Sequence, residues 1–154
     1  MPLCTWNSSY NLDVGIMDEH HRRLVELLNA AYDAIQLNDT HGMARIVAEL
    51  LEYASYHFGT ETGLMRQCAY PSQEAHQEQH SYFFRHISDL QSRLHAREPL
   101  HNLEIVIFLK EWLMQHILVT DRELAAHLAG DIPPAQGGTP PGRRSDFPSS
   151  HDAP

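Results

Sequence analysis

"EYASYHFGTETGLM", residues 52–65, is the stretch that decides how this chain folds. The steps of three and four leading into it are apolar, Val47, Leu50 and Ala54, as on a helix with one buried face. On the same spacing the next inward positions are His57, Glu61 and Leu64. An imidazole and a carboxylate on a buried face need compensation there, because an unpaired charge in a core costs several kcal/mol.

Working outward, the first 130 residues hold four helical patterns with short breaks between them. The first runs from about Asp18 to Leu37 with the stripe Leu24, Leu28, Ala31 and Ile35, and "NDTHG" ends it. The second runs from about Gly42 to Arg66. The third starts near Ser72, a suitable N-cap, and carries Phe83, Ile87, Leu90 and Leu94. Pro99 suits the first turn of the fourth, which continues through Ile105, Leu109 and Leu113 to about Ala129, with Gly130 placed as a C-terminal cap. Loops this short make neighbours antiparallel, so the expected fold is all-α, an up-down-up-down four-helix bundle over residues 1–130. An N-terminal arm with Trp6, Tyr10, Leu12 and Val14 should pack across one end. Residues 131–154 contain six of the nine prolines and three of the eight glycines, with little to bury, and are expected to form a flexible tail.

Every one of the four stripes runs into a polar side chain. Stepping back from Leu24 reaches His21; stepping back from Phe83 reaches His80 and then His76; stepping forward from Leu113 reaches His116. In an antiparallel bundle the start of the first helix, the end of the second, the start of the third and the end of the fourth share one end. At about 1.5 Å per residue these groups fall within one or two turns of each other. Any one of them alone is more often an ordinary core histidine, and the i, i+4 spacings "HFGTE" and "HQEQH" are commonplace in a chain with twelve histidines. Their convergence on one level is what points to bound cations. Asp121 follows His116 by five residues, which a regular helix would turn about 140° out of line. Yet Asp121, Leu124 and Leu128 keep a regular phase among themselves, so a π-bulge is expected between 116 and 121.

The inventory is five histidines, His21, His57, His76, His80 and His116, and two carboxylates, Glu61 and Asp121. Seven donors are too many for one ion and suit two. If both carboxylates and a solvent oxygen bridge, three histidines complete six-coordination at one metal, and two leave the other with an open position. Imidazole and carboxylate suit iron, manganese, cobalt or zinc; zinc usually settles for four ligands, which favours iron or manganese. The ferritin-like alternative needs two Glu-x-x-His pairs, and the one here, Glu98 and His101, lies outside the band.

These residues resemble the hemerythrin pattern, from Trp6 to about Leu128: "DEHHRRL", "HFGTETGLM", "YPSQEAHQEQHSYF" and "LKEWLMQHILVTD". The resemblance implies a non-haem centre of two iron ions that binds O2 reversibly. It places His76, His80 and His116 on one iron and His21 and His57 on the other, with Glu61, Asp121 and an oxo or hydroxo group bridging. It also matches Leu113 to the family's apolar pocket residue beside O2. Of the two histidines in "EHH", the stripe and the family spacing select His21, and His20 should face solvent. Thr62 stands where the family usually has an acid, and Asp13 where it has a glycine. Gly59 and Gly63 read either as points of close helix approach or as neutral. Trp112, Tyr56, Phe58 and Phe84 read as ordinary core or rim. His41, His86, His95, His101, His127 and His151 are expected in solvent.

The composition agrees with a globular domain: 154 residues, 42% hydrophobic, 20% charged. A net charge of −9 argues against non-specific nucleic-acid binding. No apolar run is long enough for a membrane span, and the N-terminus does not read as a signal peptide. Cys4 and Cys68 form neither a metal pair nor a disulfide framework, so the expected compartment is the cytoplasm. The function expected is reversible O2 binding, for transport, storage or scavenging, by a monomer that is not an enzyme. The rivals are an enzyme consuming O2, peroxide or NO, an O2 or redox sensor, and a protein of iron storage or repair.

Overall fold

Helix begins at Gly15, three residues before the apolar stripe requires it, because Asp18 ties the preceding arm down: its Oδ1 accepts from the Leu12 amide at 2.7 Å. A computed structural model describes residues 1–98 and 102–130 of the chain. After a 3-10 turn at Ser8–Tyr10, α1 spans Gly15–Gln36, α2 Thr40–Gln67, α3 Gln73–His95 and α4 Asn102–Gln115. A π-helical turn, His116–Asp121, joins α4 to α5, Arg122–Gly130, so the expected π-bulge is present. There is no strand among the described residues. Pro99, His101 and the expected tail, 131–154, lie outside the described residues.

Local chemistry sets the helix limits. Asp39 caps α2, its carboxylate accepting from the Gly42 amide at 2.8 Å. Ser72 does occupy the N-cap position of α3, but its side chain makes no capping bond. α1, α2 and α3 each end in a left-handed residue, Asn38, Ala69 and Arg97, with φ of 54°, 49° and 54°. In each case the next amide reaches back five residues: Asp39 to Ala34 at 2.8 Å, Tyr70 to Met65 at 2.9 Å, Glu98 to Arg93 at 3.1 Å. These are Schellman stops built without the usual glycine. Gly130, expected as a left-handed cap, instead belongs to the last turn of α5 and has no positive φ.

The antiparallel bundle brings residues at matched steps into common layers. Moving three residues from His21, His57, His80 and His116, forward on α1 and α3 and backward on α2 and α4, gives Leu24, Ala54, Phe83 and Leu113, all buried. Seven residues gives Leu28, Leu50, Ile87 and Leu109; ten gives Ala31, Val47, Leu90 and Val106. All of these belong to one continuous apolar core. On the other side of the histidine level a smaller cluster, Leu12, Met17, Met65, Tyr70, Leu124 and Ala125, closes the end of the bundle. The polar band is therefore sealed between two apolar blocks.

The arm contributes to both blocks, and not only to the end as expected. Leu12 and Val14 join the end cluster, while Leu3, Cys4, Trp6 and Tyr10 pack along the main core. Asn29 holds the arm on α1, accepting from the Cys4 amide at 2.9 Å and donating to its carbonyl at 2.8 Å. No described helix is long and apolar enough to cross a membrane.

Candidate metal centre

All seven side chains singled out by the sequence meet in the sealed band, each 5% exposed or less. Their donor atoms form two groups, each within 4.8 Å across: Glu61, His76, His80, His116 and Asp121 in one, His21, His57, Glu61 and Asp121 in the other. The two carboxylates belong to both groups and divide their oxygens between them. Glu61 turns Oε1 to His57 Nε2 at 3.2 Å and Oε2 to His80 and His76 Nε2 at 3.0 and 3.3 Å. Asp121 turns Oδ2 to His21 Nε2 at 2.8 Å and Oδ1 to His116 and His76 Nε2 at 3.1 and 3.2 Å. The π turn makes this possible, since it leaves both His116 and Asp121 buried on one face.

Whether these residues fit a metal can be tested on the atoms they leave unsatisfied. His21 Nδ1 and Nε2, His57 Nε2, Glu61 Oε1, His76 Nδ1 and both Asp121 oxygens are buried with no hydrogen-bond partner of acceptable geometry. Buried polar atoms are nearly always paired, and the five of these that face the centre, His21 Nε2, His57 Nε2, Glu61 Oε1 and both Asp121 oxygens, fit a pair of cations. With no cation, protons take over part of that task. Burial would lower every imidazole, but contact with Asp121 and Glu61 overrides it at His21 and His76, each raised to about 9, and raises His116 too. At His57 burial prevails and lowers the group to about 4; His80 is lowered for the same reason. Burial would raise the two carboxylates, yet the surrounding imidazoles hold both below their usual range.

Apolar and polar neighbours fix the rings. Phe58 stacks on His80 at 3.8 Å between ring centres and Trp112 on His116 at 4.5 Å, both nearly parallel. These two aromatics therefore wall the site and are more than ordinary core, whereas Tyr56 is 59% exposed. A narrow cavity lined by Leu24, Ala54, Phe58, Phe83, Trp112 and Leu113, among others, lies one turn below the histidines. Gln79 was not foreseen: its Oε1 accepts from His116 Nδ1 at 3.0 Å and from the Thr120 hydroxyl at 2.8 Å. Nor was His20, expected in solvent but only 3% exposed, with Nδ1 3.3 Å from His57 Nδ1. Lying beside a ligand in sequence, His20 turns toward α2, where Tyr53 and Tyr56 flank it. His41, His86 and His95 are exposed as expected, though His86 stacks on Phe108. His127 is half-buried and donates to the Cys68 carbonyl at 3.2 Å. His101 and His151 lie outside the described residues.

A four-helix bundle with seven buried imidazole and carboxylate donors in two overlapping groups is a two-metal protein of the histidine-rich kind. Residues 12–128 match the family model of the Hemerythrin HHE cation binding domain. The chain is 30% identical over 132 residues to the bacteriohemerythrin of Stenotrophomonas maltophilia, covering 83% of this chain and 86% of that one. It is 32% identical over 112 residues to the bacteriohemerythrin of Pseudomonas aeruginosa, covering 73% and 72%. A crystal structure of wild-type hemerythrin superposes with a TM-score of 0.77 at 26% identity, over 82% of this chain and 98% of that one. The chain belongs to the hemerythrin family. It is accordingly an O2-binding protein with a non-haem di-iron centre, and its seven donors fit that cofactor.

Proposed function

We propose that this chain is a reversible O2 carrier or store in which His21 and His57 hold one iron and His76, His80 and His116 the other. Glu61 and Asp121, which belong to both donor groups, would be shared between the two. The observation that carries this assignment is the division of each carboxylate's oxygens between the two groups of histidines. The two-histidine group offers one donor fewer than the three-histidine group, and a reduced iron pair held by the seven would supply the redox chemistry of O2 binding. The chain's own part is to keep the surroundings dry. Leu113 is 6% exposed and lines the cavity with other apolar side chains, and among the described residues no acid or base lines it. Without a group placed to deliver protons, release of O2 is favoured over its consumption, which supports a carrier over an enzyme.

Two coarser features support a cytoplasmic monomer. Cys4 is buried and Cys68 half-buried, both as free thiols, which suits a reducing compartment. The exposed large apolar residues of the described chain are spread over the arm, all four long helices and the π turn. The deciding experiment is an optical titration of the anaerobically reduced protein with O2, with iron counted in the same sample. A charge-transfer band that appears with O2 and disappears under vacuum, at two irons per chain, is the expected result. A band that never forms, or decays at once to the di-ferric spectrum, would move the assignment to an oxidase or redox sensor.

A further inference from the structure

The contact between His20 and His57 has only one consistent assignment of protons once the ligand roles above are accepted. Two ring nitrogens 3.3 Å apart need one N–H and one lone pair between them. His57 points Nε2 at Glu61 Oε1 and the centre, so a metal on Nε2 leaves the proton on Nδ1. His57 Nδ1 therefore donates, and His20 Nδ1 accepts. Outer partners of this kind are not spread evenly over the ligands: His116 has Gln79, whereas the Nδ1 atoms of His21 and His76 have none. On the two-histidine side His57 is thus the anchored ligand, and His20 is its anchor. The His20 ring is held from two further sides, by Tyr53 and Tyr56.

We propose that His20 is a positioning residue for the two-histidine metal: it accepts a hydrogen bond from His57 Nδ1, fixes the metal-facing tautomer of that ring and slows the loss of that metal. The proposal rests on the ligand assignment of the previous subsection. It predicts that the oxygen-binding side of the pair depends on a residue that touches no iron.

The test compares His20→Asn, whose amide oxygen takes the place of Nδ1, with His20→Leu, which fills similar space without an acceptor. Each protein is loaded with iron(II) under anaerobic conditions, its iron is counted, and release to excess ferrous chelator is timed. Wild type and His20→Asn should hold two irons and release them at similar rates. His20→Leu should lose one of its two irons about 10–100-fold faster, the usual cost of an outer partner. Equal rates for all three proteins, or equally fast loss from both variants, would overturn the proposal. Wild type holding fewer than two irons would instead overturn the di-iron assignment and this proposal with it. If His20→Leu does not fold, ring 15N shifts of the wild-type protein loaded with Zn2+ decide: a protonated Nδ1 on His57 and a bare one on His20 are expected, and a protonated His20 Nδ1 overturns the idea.

Discussion

Asp121 and Glu61 face both groups of histidines, so each is expected to matter to both metals. Replacing Asp121 by Ala should drop bound iron from two per chain to one or fewer, counted colorimetrically after desalting. A variant that keeps two irons would show that Asp121 is not a bridge. Gln79 acts at one remove. Gln79→Leu strips the acceptor from the His116 imidazole and the Thr120 hydroxyl together, leaving two buried donors without a partner. A loss of about 1–3 kcal/mol in unfolding free energy is expected from denaturant titration, and no loss would mean that water replaces the amide. At this scale the inward-facing residues were legible because their periodicity is that of the stripe they interrupt. His20 and Gln79 were not, since a residue beside a ligand in sequence lies about 100° round the helix, and the direction of its ring depends on a neighbouring element. Phe58 and Trp112 fit an ordinary apolar face equally well, and only the packing shows that they stack on His80 and His116.

Among the elements, α2 carries glycines that the sequence could read in two ways. A Cβ at Gly59 or Gly63 would meet nothing within 4 Å, so neither marks a close approach of another helix. Gly59→Ala should therefore stabilise the fold by about 1 kcal/mol, read from a denaturant titration, and a destabilised variant would reveal a contact the static structure lacks. The helix stops give the converse case. Ala69 holds a left-handed conformation with a φ of 49°, and Ala69→Gly should gain about 1 kcal/mol by the same assay. Asp13, with a φ of 60°, is left-handed as well, and aspartate tolerates that conformation better than most residues. Helix number, order and the π turn were legible because each follows from spacing. The stops were legible only in part: Asn38 lies in the "NDTHG" break, whereas left-handed Ala69 and Arg97 carry no compositional signal, and Ser72 at the N-cap position makes no capping bond.

For the molecule as a whole, the centre lies between two apolar blocks that meet only through the polar band. Without cations that band is a set of buried charges and orphaned polar atoms; ions held there as proposed would crosslink α1, α2, α3 and the π turn. Stripping iron with a reductant and chelator should lower Tm by about 10 °C or more, since a ligand present at a thousand times its Kd contributes about 4 kcal/mol. An unchanged Tm would mean that the apolar layers alone hold the bundle. The π turn ties this stability to kinetics. The turn begins at His116 and ends at Asp121, so its local opening would withdraw an imidazole and a carboxylate that faces both groups of histidines together. Escape of an ion held by His76, His80 and His116 would then be a gated process, in which a scavenger can collect only what the opening turn lets go. As chelator concentration rises, loss of that ion should climb and then level off at the turn's own opening rate, read from its amide hydrogen exchange where opening limits the exchange.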